Sequence, residues 1–412
     1  MRAIYRIARL ELSNLFYSPI AWLILILFVF MTAMNFTDVL WAYARSQEFR
    51  GGGLSDLSRA LFFDVTGRGL WPKISNLLYM IMPLLTMGLI SQEFSRGSIK
   101  LLFVAPITSR HIVLGKFLGM MMYGLLMFSV LLVYVILGGC WIESFDWAAV
   151  LTGLLGLYLL FGTYAAIGLF MSTLTTYPIV AAIYMLALLT FLRFVSGLWQ
   201  EYTFVRDITY WLSISGRSDE LINGLISSED VFYFLIVIGL FLTLSIMVIL
   251  SGKRKLSKSM AFTRYTGVIV LAMLLGYVTS RPGLQCSYDA SSIKLNSLNP
   301  VSQEIMEKME GGLTITTYVN LLEGNFYRGA PSERNSDANR FKKFIRFKPK
   351  IQMNYVYYYA DAGNEVLEDR FPDLNTQQRA WKMAVMEDLD IEMFLSPEQV
   401  AQQVDLSGEK YR

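Results

Sequence analysis

The feature that most constrains this chain is a series of long apolar runs between residues 19 and 280 that carry almost no charge. A helix needs about 20 predominantly apolar residues to cross roughly 30 Å of hydrocarbon. Seven stretches fit: about 19–40, 71–91, 112–138, 147–172, 177–198, 231–251 and 265–280. Lipid offers the backbone no hydrogen-bond partner, so each is expected as a helix. Charged residues make up 17% of the 412-residue chain, where a soluble globular protein is nearer about one-quarter. The deficit lies in residues 1–280, and residues 281–412 read like an ordinary soluble domain. Two domains in different solvents are expected.

Several function classes drop out. A net charge of +3 is too small to point to nucleic acid. One histidine, His111, cannot build a histidine metal cluster, and Cys140 and Cys286 form no CxxC pair. Both cysteines fall on the same expected side and read as unrelated small residues, with a disulfide between them as the open alternative. The runs Gly115-Lys116-Phe117 and Gly252-Lys253-Arg254 do not complete a phosphate loop. No HExxH, GxSxG or other catalytic signature is present. The expected spans carry ionisable residues only toward their ends, Arg193 near the outer end of the fifth among them. Ion-coupled transport needs such residues inside the membrane, so energy for any transport must arrive from elsewhere.

The first 17 residues read as an amphipathic helix in the membrane interface. Ile4, Ile7, Ala8, Leu12 and Leu15 make one face, and Arg2, Arg6, Arg9 and Ser13 fall elsewhere. Ser18-Pro19 then breaks it before the first span. A plain cytoplasmic start of that span is the open alternative. No cleavage site follows, so the first span is read as retained.

Orientation comes from the basic residues flanking the spans. One side carries Arg2, Arg6 and Arg9; then Arg96, Lys100, Arg110 and Lys116; then Lys253, Arg254, Lys255, Lys258 and Arg264. The opposite loop at 139–146 has no basic residue and holds Glu143 and Asp146. The N-terminus is therefore expected in the cytoplasm. Seven crossings then place 281–412 outside.

That outer region alternates helix and strand, which argues for an α/β domain. Asn299-Pro300 starts a helix, Gly311-Gly312 stops it, and strands follow at Leu313–Leu322 and Ile351–Tyr359. Asn375 caps a further helix through about Asp388, and Ser396-Pro397 starts another. Two strands make a thin sheet, so the domain is expected to be cut short at Arg412. The expected boundaries are an interfacial helix 1–17, a six-span core 18–252, a basic linker 253–264, a seventh span 265–280 and the outer domain 281–412.

The segment between the second and third spans is the most informative. It runs from Gln92 to Phe117 and reads as a short helix, a break at Pro106, and a capped helix start at Thr108 or Ser109. An amphipathic piece of this kind can insert into a groove on a partner. Glu93, Arg96, Gly97, Ser98, Leu101, Leu102, Pro106, Thr108, Gly115 and Lys116 carry the pattern. It resembles the ABC type-2 permease family, with Ile112 also matching and Lys100 standing where an acidic residue is common. The resemblance implies a six-span permease core. It also implies a separate cytoplasmic ABC ATPase that engages this segment, with ATP and magnesium in that partner and none in this chain. A homodimer or pseudo-dimer of permeases in the bacterial inner membrane is implied as well.

Residues 281–322 resemble the start of the auxiliary subunit of gliding-motility type ABC systems. Ser292–Leu298, Pro300–Ile305 and Leu313–Leu322 carry that likeness, which implies a periplasmic domain fused behind its own membrane anchor. The expected function is a non-enzymatic permease subunit of an ABC exporter moving a hydrophobic or amphipathic cargo. The alternative is a membrane scaffold or sensor whose outer domain binds a ligand or envelope protein.

Overall fold

The computed structural model describes residues 2–50, 57–63, 69–99, 104, 107–195, 203–253, 258–281, 284–294, 296–309, 311–347 and 351–403. It divides into two compact units. One comprises Met1–Arg193 and Ile214–Asn296, the other Phe194–Ser213 and Ser297–Arg412.

The first unit is helical. Its elements are α1 (Arg2–Tyr17), α2 (Pro19–Arg50), α3 (Leu57–Phe63), α4 (Leu70–Thr86), α5 (Ser91–Ser95), α6 (Ser109–Trp141), α7 (Trp147–Thr173) and α8 (Pro178–Phe194). After α9 (Thr203–Leu212), which clusters with the second unit, it resumes with α10 (Ile214–Ile222), β1 (Leu225–Ser227), α11 (Ser228–Lys253), α12 (Lys258–Thr279) and β2 (Ser287–Asp289).

Six described helices are long and apolar enough to cross a membrane: Pro19–Arg45, Leu70–Ser95, Ser109–Trp141, Trp147–Thr173, Ser228–Gly252 and Ser259–Thr279. The chain is a multi-pass membrane protein. The expected span at 177–198 is the exception, because α8 has 17 residues. At 1.5 Å per residue it extends about 25 Å, short of the hydrocarbon thickness. Residues 196–198 of that expected span lie outside the described residues. Even so, α8 runs antiparallel along α4. Thr86 Oγ1 donates to Met185 Sδ at 3.1 Å, Tyr79 and Thr190 hydroxyls hydrogen-bond, and Arg193 lies over the Tyr79 ring at 5.4 Å.

The core of this unit is α7, buried on nearly every side: Leu157, Leu160, Phe161, Ala165, Ala166, Ile167 and Leu169 are fully enclosed. Its glycines let neighbours approach. A Cβ on Gly153 would lie 2.8 Å from the Ile222 carbonyl oxygen, and one on Gly156 2.8 Å from Leu221 Cβ. Both contacts seat α10 on α7. The third glycine of that stripe, Gly162, has only side-chain atoms of Met121 and Ile238 near it, at 3.3 Å and more.

One end of this unit is closed by a small ribbon. β1 and β2 pair antiparallel with Leu225 opposite Asp289. Asp146 both caps α7, accepting from Ala149 N at 3.2 Å, and accepts from Ser292 N at 2.7 Å. Arg217 on α10 is buried against Glu229 and Asp230 at 2.8 and 3.3 Å, and Gln285 donates to Glu229 at 2.8 Å. The segment 284–296, read from the sequence as part of the outer domain, therefore packs with the helical unit. Cys140 and Cys286 are free and exposed.

The second unit holds α9, α13 (Pro300–Lys308), β3 (Leu313–Asn320), α14 (Arg334–Arg340), α15 (Lys342–Phe347), β4 (Ile351–Tyr358), α16 (Glu365–Arg370), α17 (Thr376–Met386) and α18 (Pro397–Gln403). β3 and β4 pair in parallel from Leu313–Ile351 to Asn320–Tyr358. The expected helix caps are formed: Asn299 accepts from Ser302 N at 2.7 Å and Asn375 from Gln378 N at 2.8 Å. Gly311 takes a left-handed φ of +87° between α13 and β3, a conformation glycine adopts at no steric cost. Val319, Leu321, Phe326, Tyr357, Ala380 and Phe394 form the core. Buried Asn320 binds the backbone of Ala360 and Leu322, tying the strand ends to the following loops.

The α7–α10 seat gives a direct stability test. Gly156→Ala forces a methyl against backbone and costs about 1–3 kcal/mol by overpacking. Gly239→Ala, in open space, should be neutral or mildly stabilising through helix propensity. Thermal unfolding of the detergent-purified chain should show a lower midpoint for the first variant only.

Candidate functional site, a buried charge cluster at the helix elbow

The end of the helical unit opposite the β ribbon is built by α1, α5 and the start of α6. α1 is the expected amphipathic helix, with Ala8, Glu11 and Leu15 buried and Arg2, Arg6 and Arg9 exposed. It lies directly on α6. A Cβ on Gly115 would meet Ile7 Cβ at 2.7 Å, and one on Gly119 would meet the Ala8 carbonyl oxygen at 3.0 Å. The two glycines are four residues apart, so they share a face one turn apart. α1 and α6 meet there almost backbone to backbone.

Between these glycines, Lys116 turns into the contact. Its ammonium lies 2.7 Å from Glu11 Oε2 and 2.7 Å from Glu93 Oε1, and its side chain is 5% exposed. Glu11 comes from α1, Glu93 from α5 and Lys116 from α6, so one cation joins three elements. Bonds of this length between charged groups are roughly twice as strong as neutral ones. Two carboxylates share one lysine, and among the described residues Glu93 Oε2 is buried without a hydrogen-bond partner.

α5 is anchored a second way. Ser172 near the end of α7 accepts from Ile90 N and Ser91 N, each at 2.9 Å, and donates to the Met87 carbonyl at 2.9 Å. These bonds satisfy backbone groups freed where the helix breaks at residues 87–90. α5 then ends at Arg96, and Gly97 turns the chain with φ +72°. Nothing lies within 4 Å of a Cβ there, so the requirement is conformational and not one of space. Ser98 donates from its hydroxyl to the Glu93 carbonyl at 3.4 Å. Arg96 and Gly97 are exposed.

Thr108 caps α6 as expected. Its hydroxyl accepts from His111 N at 3.4 Å and meets His111 Nδ1 at 2.9 Å, which makes His111 a capping partner. Of the residues carrying the sequence pattern, Glu93, Gly115 and Lys116 meet in one buried cluster, and Arg96, Gly97 and Thr108 stay at the surface. Leu101, Leu102 and Pro106 lie outside the described residues.

Two residues of the site escaped the sequence reading. Glu11 stands at Ala8+3 and Leu15−4, a charge on the helix's own apolar stripe, and that spacing was the available signal. Ser172 is the first of four hydroxyl residues that close an apolar run, with Thr173, Thr175 and Thr176, and nothing in the sequence singled it out.

Lys116→Gln leaves the Glu11 and Glu93 carboxylates without their shared cation; breaking a fully buried pair costs about 3–5 kcal/mol, and the loss is smaller here because the Glu93 side chain is 23% exposed. Adding Glu11→Gln removes one of them. The single variant should unfold at a clearly lower temperature than wild type, with the Glu11→Gln/Lys116→Gln double variant recovering part of the loss.

With this geometry in view, residues 5–205 match the family model described as ABC-2 family transporter protein. The match contains α1 from residue 5 onward, α2 to α8, and Glu11, Glu93 and Lys116 of the elbow. No curated protein and no solved structure matches the chain.

Proposed function

We propose that this chain is the membrane permease subunit of an ABC exporter, driven by a separate cytoplasmic ABC ATPase. The observation that carries the proposal is the elbow. A lysine buried between two carboxylates fastens an interfacial helix and a short exposed-tipped helix to the third span, inside the region that matches the transporter family. A push on the exposed turn at Arg96 and Gly97 reaches α6 and α1 together, because α5 cannot move without Lys116. The chain itself needs no enzymatic activity under this reading: ATP and magnesium belong to the partner, and two permease copies, as a homodimer or pseudo-dimer, flank the path.

Topology supports the same reading. α8 lies antiparallel against α4 between Tyr79 and Thr86, which favours it as a seventh crossing with local thinning of the bilayer. Seven crossings put the elbow on the cytoplasmic face and the β ribbon on the opposite one, in line with the basic residues near the elbow. The second unit is then periplasmic, following its own anchor, α12, as in the gliding-motility type systems. The nearly uncharged spans suit a hydrophobic or amphipathic cargo.

The test is a mild-detergent purification of the tagged full chain from its native membrane, with partners identified by mass spectrometry and ATP hydrolysis assayed. A stoichiometric ABC ATPase is expected, reduced at least several-fold by Arg96→Ala and by Gly97→Leu. Absence of an ATPase in several detergents would contradict the permease reading and favour a scaffold or sensor.

A further inference from the structure

The second unit carries a basic run that neither the elbow nor the spans account for. Arg340, Lys342, Lys343, Arg346, Lys348 and Lys350 fall within residues 340–350, and no acidic residue stands between Asp337 and Asp361. Asp337 itself is 4% exposed and is bound by Tyr355, Thr317 and Arg340 at 3.2, 3.3 and 3.5 Å. Its charge is spent inside the domain. Phe341, Phe344, Ile345 and Phe347 are interleaved with the cations. Lys348 and Lys350 lie outside the described residues.

α15 shares a small core with α13. Leu298, Met306 and Ile351 are buried together, and Phe344 and Ile345 of α15 pack against them. Met306 belongs to α13, which turns Val301 and Ile305 outward, 65% and 57% exposed. Four residues apart, these two make one stripe on the helix. Glu304 and Glu307 fall to one side of that stripe, and Glu304 is held by Lys308 at 2.7 Å. On α15, Lys343 and Phe347 are exposed at the same spacing. Exposed apolar side chains next to clustered lysine and arginine are the composition of a surface that meets anionic head groups. A solvated helix face accounts for the cations but not for the apolar stripe.

The chain path keeps this surface within reach of lipid. The second unit joins the helical unit at three places, Arg193–Phe194, Ser213–Ile214 and Asn296–Ser297. At the last of these, Asn296 Nδ2 donates to the Asn223 carbonyl at 2.9 Å. Asn299, the cap of α13, follows three residues later, and three residues of chain extend at most about 10 Å.

We propose that α13 and α15 form a docking surface for anionic membrane lipid. Arg340, Lys342, Lys343 and Arg346 meet the head-group phosphates, and Val301, Ile305 and Phe347 enter the acyl boundary. The proposal requires only that the helical unit sits in a membrane, and it holds on whichever side the second unit lies.

The experiment uses the full-length chain in a Cys140→Ser/Cys286→Ser background with one fluorophore, placed at Val301→Cys or at Val366→Cys. Val366 is exposed on α16, which packs through Leu367 on the other core of this unit. Each protein is reconstituted in phosphatidylcholine nanodiscs with and without phosphatidylglycerol, a nitroxide quencher being carried on the choline head group. Phosphatidylglycerol should deepen quenching at Val301→Cys several-fold, and at Val366→Cys less. High salt should reverse the gain, because exposed charges are screened. Arg340→Gln/Lys343→Glu should abolish it, and Lys343→Arg should keep it. Quenching at Val301→Cys indifferent to phosphatidylglycerol, or a gain indifferent to salt and to the charge variants in well-folded protein, would overturn the proposal. A signal changed by soluble polyaspartate and not by phosphatidylglycerol would assign the surface to an acidic protein and overturn it as well. The readout needs neither ATPase nor transport, so its failure and that of the permease reading are separable.

Discussion

The structure of the elbow depends on one buried ammonium, 5% exposed, held between two carboxylates. Desolvating these groups costs several kcal/mol each, repaid only when the contacts are short and mutual. Both contacts to Lys116 are 2.7 Å. The cost makes the arrangement selective: α1, α5 and α6 are held in one relation, since any other leaves a buried charge alone. Close backbone contact at Gly115 and Gly119 adds the shape requirement. An interfacial helix that lipid alone would hold loosely becomes part of the third span.

The rest of the unit continues from there. α7 is its buried axis, and Ser172 joins that axis to α5. At the other end the same axis carries α10 on Gly153 and Gly156, and Asp146 pins the returning segment through Ser292. The two ends are thus connected through a helix with almost no freedom to repack. Interiors packed to native density respond to a push by shifting between arrangements and not by deforming smoothly. That property is what the proposed drive from one face requires.

Much of this was legible in the sequence, and the exceptions have physical causes. Long apolar runs gave the helices because only a helix satisfies its backbone in lipid. Caps at Thr108, Asn299 and Asn375 were readable because a side chain there meets a donor three residues on. The parallel strands at 313–320 and 351–358 followed from β-branched and aromatic residues. The three-residue strands β1 and β2 are too short for any periodicity, so the return of 284–296 onto the helical unit could not be seen. The described part of α8 stops at Phe194, and residues 196–198 of the expected span lie outside the described residues. Glu93 and Lys116 were found by their pattern, but the pattern suggested a partner-facing surface. Their meeting inside the protein rests on Glu11, about a hundred residues away in sequence, and no local rule joins them.

The most direct measurement of the central claim uses the free, exposed cysteine at the far end of the third span. Cys140 lies on the same helix as Lys116, close to the opposite terminus. In a Cys286→Ser background, maleimide labelling of Cys140 would be timed in the ATPase-bound protein with and without ATP and vanadate. The account predicts that nucleotide trapping changes the labelling rate several-fold, and that Lys116→Gln, still bound to the ATPase, abolishes the change. A labelling rate indifferent to nucleotide in the wild type, or an unaltered response in Lys116→Gln, would contradict transmission through the elbow.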